Sequence, residues 1–291
     1  MSRALATALE KLVAADGSAA ASTFTSLQRK ELDLFSRQTR SLTLVSQGGG
    51  ARYETTDLPL VRSHLNVLRP TAHSDLDLAL PQRANNIARM RDSKSRHHGH
   101  TTGYLLIKSI GPGVTWSLPA AITFDVSANT STAGVAAISI TVSDEWTTSQ
   151  PIWLVENQAL FDRTDWLPAG ANGSLVYYGG QLSNLFLNWT ARKGRAEKIM
   201  FFPDYDGVGF LNYARLLEKS VSPVDFWLMP GWKSLLQKYG NNVVWQSTFR
   251  EFKAGMTRLL KHNVPVYLTE LGDTMSRSGL ALEHEAVWLK Q

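Results

Sequence analysis

The sequence predicts an α/β protein in which a mostly parallel sheet with helices on both faces follows a small α+β domain. From residue 151 onward, short apolar runs alternate with runs of helical spacing, a pattern typical of such a sheet. Residues 1–80 instead combine helical runs with one pair of β-rich runs. A chain of 291 residues, 43% of them hydrophobic, is long enough for two cores.

The first domain is expected to span residues 1–80. Leucines at helical spacing predict a helix near the N-terminus, and Glu10 and Lys11 interrupt the apolar run that a signal peptide needs. The other predicted elements are a helix over 26–38, strands over 41–45 and 51–55 around a glycine turn, and a helix over 58–68 that Asp57 caps and Pro70 ends. Helices with a β-hairpin resemble a winged helix, a module that commonly binds duplex DNA. Any small α+β lobe would give the same pattern.

Residues 81–148 predict a basic connector followed by a layer of β-hairpins. The basic side chains here, which have a single acid among them, are Arg83, Arg89, Arg91, Lys94 and Arg96. They would suit a phosphate-contacting segment, and a solvated surface explains them equally well. The nearby His97, His98 and His100 favour a basic loop over a zinc site, because no Cys accompanies them. Strands are expected over 104–110, 122–126 and 137–142, with turns between them.

Residues 149–291 carry the alternation of strands and helices. The predicted strands cover 152–155, 174–178, 199–202, 225–229 and 264–268, and the predicted helices cover 182–189, 210–217, 249–260 and 280–289. In sheets of this kind, ligands bind beyond the carboxyl ends of the strands. Glu156 and Asp204 both stand at such ends.

Composition narrows the possible classes of function. The formal charge of +5 and the pI of about 9.4 favour a polyanionic partner. Because the chain has no Cys, disulfides, zinc–thiolate sites and cysteine nucleophiles are excluded. A reducing cytoplasm fits this composition. No apolar run reaches the roughly 18 residues of a membrane-spanning helix, so a membrane partner is not expected.

An acidic pair provides the strongest functional signal. Asp204 and Asp206 lie two residues apart directly after an apolar run, so in an extended loop both side chains can point to one side. Two carboxylates this near to each other repel unless a cation lies between them, and Mg²⁺ prefers carboxylate oxygens as ligands. Gly207 and Gly209 are expected to give the backbone clearance for a phosphate. Pairs of this kind also occur as ordinary turns or helix caps.

The same residues carry a resemblance to a known family. A Glu after one strand and Asp-X-Asp-X-X-Gly after a later one resemble the Toprim domain, and here those positions are Glu156, Asp204, Asp206 and Gly209. The local sequences around residues 155–157, 178–180 and 202–209 look like the nuclease subunit of Wadjet anti-plasmid systems. That subunit is itself similar to the A subunit of type IIB topoisomerases. The resemblance is specific over about residues 150–291.

The resemblance implies a metal-dependent endonuclease that cuts double-stranded DNA. Glu156, Asp204 and Asp206 would hold one or two Mg²⁺ or Mn²⁺ ions, and Glu283 or Glu285 would correspond to a late family Glu at a second metal position. A surface salt bridge would explain either of these two equally well. The implied partners are a second copy of the chain and an SMC-like motor complex with SMC, kleisin and winged-helix subunits. The implied role is defence against plasmids.

Two departures from the relatives limit the reaction. Type IIB topoisomerases use a helical tyrosine nucleophile, whereas Tyr53 is expected in a strand, so we predict hydrolysis by water without a covalent intermediate. The chain is also short for a Wadjet nuclease subunit. An alternative is therefore a non-catalytic DNA-binding subunit with a vestigial Toprim fold. Strand passage and primer synthesis remain less favoured, because the helical Tyr and any zinc module are missing.

Overall fold

A computed structural model describes residues 3–70, 80–90 and 100–289, except for the side chains of residues 82, 89 and 90. The chain is α/β, as the sequence predicts, and it divides into two compact units, residues 1–99 and residues 100–291. Among the described residues, no helix combines the length and apolar character needed to cross a bilayer.

The first unit combines helices with a small antiparallel sheet. Its elements are α1 (Arg3–Ala14), β1 (Ser18–Ala20), α2 (Ser26–Thr39), β2 (Leu42–Gln47), β3 (Gly50–Thr55), α3 (Leu58–Leu68) and α4 (Gln82–Met90). The strand order is β1-β3-β2, and the sequence analysis missed β1, which has only three residues. The predicted cap is confirmed, because the Asp57 side chain accepts a 2.9 Å hydrogen bond from the Leu60 N–H.

The second unit is built on a larger sheet. Its strands are β4 (Thr102–Ile110), β5 (Thr115–Leu118), β6 (Ile122–Asp125), β7 (Ala136–Thr141), β8 (Ile152–Val155), β9 (Gly173–Tyr177), β10 (Ile199–Phe202) and β11 (Val224–Phe226). Its helices are α5 (Val126–Ala133), α6 (Gln158–Asp162), α7 (Asn184–Thr190), α8 (Gly207–Lys219), α9 (Trp232–Tyr239), α10 (Asn242–Leu259) and α11 (Val266–Ser278), and a 3-10 helix follows (His284–Trp288).

Six of these strands form one mixed sheet in the order β11-β10-β8-β9-β4-β7. The four strands from β11 to β9 are parallel neighbours. β4 is antiparallel to both of its neighbours, β9 and β7, so it runs opposite to the other five described strands of this sheet. Side chains on both faces are buried: Phe201 stacks on Tyr213 of α8, whereas Phe202 packs against Trp166 and Trp227. Burial on both faces explains why β8 and β10 are apolar throughout.

The sheet extends beyond the predicted boundary at residue 149. β4 pairs with β7 over residues 102–107 and with β9 over residues 106–110, so β4 and β7 are part of the main sheet rather than a hairpin layer attached to it. Only β5 and β6 form a separate hairpin within the described part of that segment. Residues 129–134, expected to be a turn, lie in α5 and its left-handed cap Gly134.

Two predicted elements near the C-terminus are wrong. The expected strand over 264–268 is the start of helix α11, because Pro265 is a suitable residue at a helix start and buried Leu268, Leu271 and Met275 follow at helical spacing. The expected helix over 280–289 begins instead with extended residues, of which Ala281 and Leu282 form isolated bridges.

Candidate metal centre

The carboxyl ends of β8, β9 and β10 meet at one edge of the sheet. Val155 of β8 lies opposite Phe202 of β10 on one side and Tyr177 of β9 on the other. The residues that follow these three therefore leave the sheet together. Because β9 and β10 lie on opposite sides of β8, the connections diverge there, and a crevice at such a point commonly binds ligands. Glu156 and the loop that carries Asp204 border this crevice.

The conformation of the Asp204–Asp206 loop is fixed by its central residue. Tyr205 is fully buried, and its hydroxyl accepts a 2.7 Å hydrogen bond from the Met229 N–H and lies 3.2 Å from the Trp227 carbonyl oxygen, to which it donates. The backbone of Tyr205 forms an antiparallel bridge with Leu282. Tyr205 is thus directed inward, and the charges of the aspartates on either side of it both raise the pKa of Glu156.

Each aspartate accepts a defined backbone hydrogen bond. Asp206 is the N-cap of α8, and its Oδ1 accepts from the Gly209 N–H at 2.8 Å. Asp204 Oδ1 accepts from the His284 N–H at 2.8 Å. Capping is thus one function of Asp206 in the fold. It does not account for the proximity of two further carboxylates.

Glu156 is the third member of the cluster. Its Oε2 accepts a 2.9 Å hydrogen bond from the Tyr178 hydroxyl, and its carboxylate accepts another from the Asp204 backbone. The neighbouring Asn157 caps helix α6 through the Ala159 N–H. Its amide also donates to Glu285 Oε1. Asn157 therefore both caps a helix and contacts the C-terminal segment.

The pKa values of all three carboxyls are raised. Burial raises the pKa of Glu156 to about 7, and the Asp204 charge adds to the shift, while the Tyr178 hydroxyl opposes it. Burial likewise raises the pKa of Asp204 and of Asp206 to about 6, against hydrogen bonds from the His284 and Gly209 backbones respectively. Three desolvated carboxylates near one another favour either protons or a cation. Their desolvated charges therefore favour a divalent metal ion, but the potential ligand atoms of these three carboxyls do not all lie within 4.8 Å of one another in the described structure.

The C-terminal segment brings further candidate metal ligands near Asp204. Asp204, His284 and Glu285 have potential ligand atoms within 4.8 Å of one another. Of the two predicted glutamates, Glu285 thus lies with Asp204. Glu283 is exposed, and its charge raises the pKa of Asp204.

Sequence reasoning missed His284 and Glu251. His284 lies between the two predicted glutamates, and a histidine flanked by acids was the available signal. Glu251 of α10 carries a buried Oε2 without a hydrogen-bond partner in the described structure, and its charge contributes to the raised pKa of Asp206. No local signal separates Glu251 from any other helical glutamate.

The two glycines are closely surrounded by protein. A Cβ on Gly207 would lie 1.8 Å from the Thr248 carbonyl oxygen of α10, and one on Gly209 would lie 2.0 Å from the Asp204 carbonyl oxygen. Close packing of α8 on α10 and on the preceding loop therefore requires both glycines. Clearance for a phosphate remains a prediction.

The predicted basic segment is only partly described. Arg83 is exposed on α4, and Arg89 lies on the same helix. Arg91, Lys94 and Arg96 lie outside the described residues. Tyr53 lies in β3 as predicted, is 2% exposed, and donates a 2.7 Å hydrogen bond to Asp33.

No protein-family model matches the chain, and the comparison with curated proteins finds no match. Geometry and chemistry are therefore the basis for a functional proposal.

Proposed function

We propose that this chain is a Toprim-type, metal-dependent endonuclease that hydrolyses double-stranded DNA. One observation carries the proposal: Glu156, Asp204 and Asp206 converge at the carboxyl ends of two adjacent parallel strands, where the sheet connections diverge. All three are partly desolvated, so their ionised forms require a compensating cation. Carboxylate oxygens are the ligands that Mg²⁺ and Mn²⁺ favour.

In this proposal each residue has a defined part. The three carboxylates bind the metal, and the Tyr178 hydroxyl and the His284 N–H orient Glu156 and Asp204. Bound Mg²⁺ or Mn²⁺ would lower the pKa of a water molecule and neutralise charge on the leaving oxygen of a phosphodiester. The buried Tyr205 fixes the backbone of the loop between the two aspartates, so that their side chains are preorganised for binding.

Water is the favoured nucleophile. Burial and the neighbouring Asp33 raise the pKa of Tyr53, so its phenol stays protonated at neutral pH. The ring also packs edge-on against Phe24 in the core of the first unit. A buried, protonated phenol is poorly suited to attack a phosphodiester, which supports hydrolysis over a covalent protein–DNA intermediate.

The first unit would bind the DNA as a winged-helix-like module. It pairs helices with the β2–β3 hairpin, and α2 exposes Arg29, Lys30 and Arg37 to solvent. Such cations would neutralise backbone phosphates and make binding depend on salt. The resemblance further suggests a homodimer acting in the cytoplasm with an SMC-like motor complex in plasmid defence.

Replacement of Asp206 by Asn tests the proposal. Asn caps helices as well as Asp does, so Asp206→Asn should preserve α8 while removing one ligand charge. Plasmid cleavage in Mg²⁺ or Mn²⁺ should fall at least about 100-fold. Asp125→Asn is the matched control, since Asp125 caps α5 through a similar 2.8 Å hydrogen bond.

Unchanged cleavage by Asp206→Asn would refute the endonuclease assignment. A second candidate is a DNA-binding subunit without catalysis, and the exposed cations of α2 are the observation that favours it. It predicts tight, salt-sensitive DNA binding by the wild-type chain with no nicking in either metal.

A further inference from the structure

The imidazole of His284 is an unusual buried group. The residue has 0% exposed surface, and neither ring nitrogen makes a hydrogen bond of good geometry in the described structure, although the Pro203 backbone lies close enough to raise the pKa of the ring. Buried polar atoms without partners are uncommon in native proteins, and each one calls for an explanation such as an ion. The backbone of His284 is anchored to Asp204, so the ring is held in place beside that carboxylate.

The surroundings of the ring match those of a metal ligand. Nδ1 lies 3.1 Å from Asp204 Oδ1, and Nε2 lies 3.8 Å from Glu285 Oε2. Metal–ligand bonds of about 2.1 Å place neighbouring ligand atoms roughly 3.0–3.5 Å apart, and the distance from Nδ1 to Asp204 lies in this range, whereas Glu285 lies beside the other ring nitrogen and slightly beyond it. The side chains of Asp204 and Glu285 are 28% and 33% exposed, which gives an ion access from solvent.

We infer that Asp204, His284 and Glu285 form a second cation site that binds Mn²⁺ or another first-row transition metal in preference to Mg²⁺. The inference rests on the proposed function in that Asp204 also belongs to the Glu156 cluster. The two sites differ in chemistry: one consists of carboxylates, whereas this one adds an imidazole nitrogen.

The nitrogen ligand determines the selectivity. Mg²⁺ prefers oxygen ligands and loses its waters reluctantly, whereas imidazole suits transition metals. Glu285 is itself oriented, because the Asn157 amide donates to its Oε1. Such outer-shell contacts are a regular part of metal sites, and their loss costs roughly 10–100-fold in affinity.

The experiment measures Mn²⁺ binding directly on the full chain. Pulsed EPR of bound Mn²⁺ should show coupling to an imidazole ¹⁴N in the wild type and none in His284→Gln. The same variant should lose at least about tenfold in Mn²⁺ affinity in the presence of excess Mg²⁺. His262→Gln, which changes an exposed histidine of the same unit, should retain both signals.

A second variant guards against misfolding of a substituted buried histidine. Glu285→Gln should weaken Mn²⁺ binding while retaining the fold, and Glu197→Gln, at another exposed glutamate, should not. Mn²⁺ bound without ¹⁴N coupling would overturn this inference and leave the proposed endonuclease intact. Coupled Mn²⁺ with no DNA cleavage would support the site and overturn the endonuclease.

Discussion

The backbone N–H of His284 donates a 2.8 Å hydrogen bond to Oδ1 of Asp204, although the two residues are 80 positions apart. The adjacent bridge between Tyr205 and Leu282 runs in both directions, with N···O distances of 2.8 and 3.0 Å. The C-terminal segment is therefore an integral wall of the candidate metal centre. Its backbone stabilises the ionised form of Asp204, and its side chains His284 and Glu285 are candidate ligands beside it.

Tyr205→Phe should destabilise the second unit. The substitution removes the hydroxyl that accepts from the buried Met229 N–H, and an unsatisfied buried donor costs about 1–3 kcal/mol. Chemical denaturation followed by tryptophan fluorescence would measure the loss. Tyr104→Phe is the control, because Tyr104 is 74% exposed and its replacement should change stability by less than about 0.5 kcal/mol. Equal stability of the two variants would contradict the anchoring role of Tyr205.

The raised pKa values of the three carboxyls should make the metal-free protein lose stability as the pH rises from about 4 to 6, although burial lowers the pKa of His284 to about 4 and so opposes part of this loss. Burial raises the folded-state pKa of Asp206 to about 6, so the native state holds this proton where the unfolded chain has released it. The stabilising contribution of Asp206 is therefore complete below pH 4 and is lost as the pH rises through 6, and it amounts to on the order of 3 kcal/mol.

Thermal melts in EDTA and in Mn²⁺ test this linkage. At pH 8 without metal, Asp206→Asn should melt above the wild type, since its side chain carries no buried charge. Added Mn²⁺ should raise the melting temperature of the wild type and of Asp125→Asn, but much less that of Asp206→Asn. A wild-type protein with the same stability in EDTA at pH 4 and pH 7 would argue against the raised pKa values.

Local signals in the sequence were sufficient to predict which carboxylates stand at the ends of the strands. Apolar runs predict β8 and β10, and parallel neighbours bring Glu156 and Asp204 to one edge. The C-terminal wall was not predictable in this way. Its position depends on a bridge between Tyr205 and Leu282, and the apolar spacing over 280–289 fits a helix just as well. Pairing with a distant part of the chain therefore determines the conformation of this segment.

The same reason explains the misplaced domain boundary. A change in composition near Pro151 suggested that the sheet begins at β8, yet β4 pairs with β9 across a long stretch of chain. Pairing of this kind leaves little trace in a single sequence, because β4 alternates in burial like any half-covered strand. His284 carries no local signal comparable to that of the strand-end carboxylates, because its place beside Asp204 also depends on contacts between distant parts of the chain.

Gly207→Ala should be strongly destabilising. The added Cβ would lie 1.8 Å from the Thr248 carbonyl oxygen and 2.7 Å from the Phe252 nitrogen, so α8 and α10 would have to separate. Overpacking of this kind typically costs about 1–3 kcal/mol or more. Gly194→Ala is a matched control, because its Cβ would make only ordinary contact with Ser222 Oγ at 3.8 Å. A stable Gly207→Ala protein that binds DNA poorly would instead favour phosphate clearance as the role of this glycine.

Tyr178→Phe should shift the pH dependence of cleavage to higher pH. Burial raises the pKa of Glu156 to about 7. The Tyr178 hydroxyl opposes this shift, because it donates to Glu156 Oε2 at 2.9 Å and stabilises the ionised carboxylate. Loss of this donor should raise that pKa further, and metal binding requires the ionised form. The rate should therefore fall several-fold at pH 6.5 and recover above about pH 8.5. Tyr177→Phe, at the preceding residue, should keep the wild-type profile. An equal loss of rate at every pH would show that Tyr178 acts through packing against Phe201 rather than through the charge of Glu156.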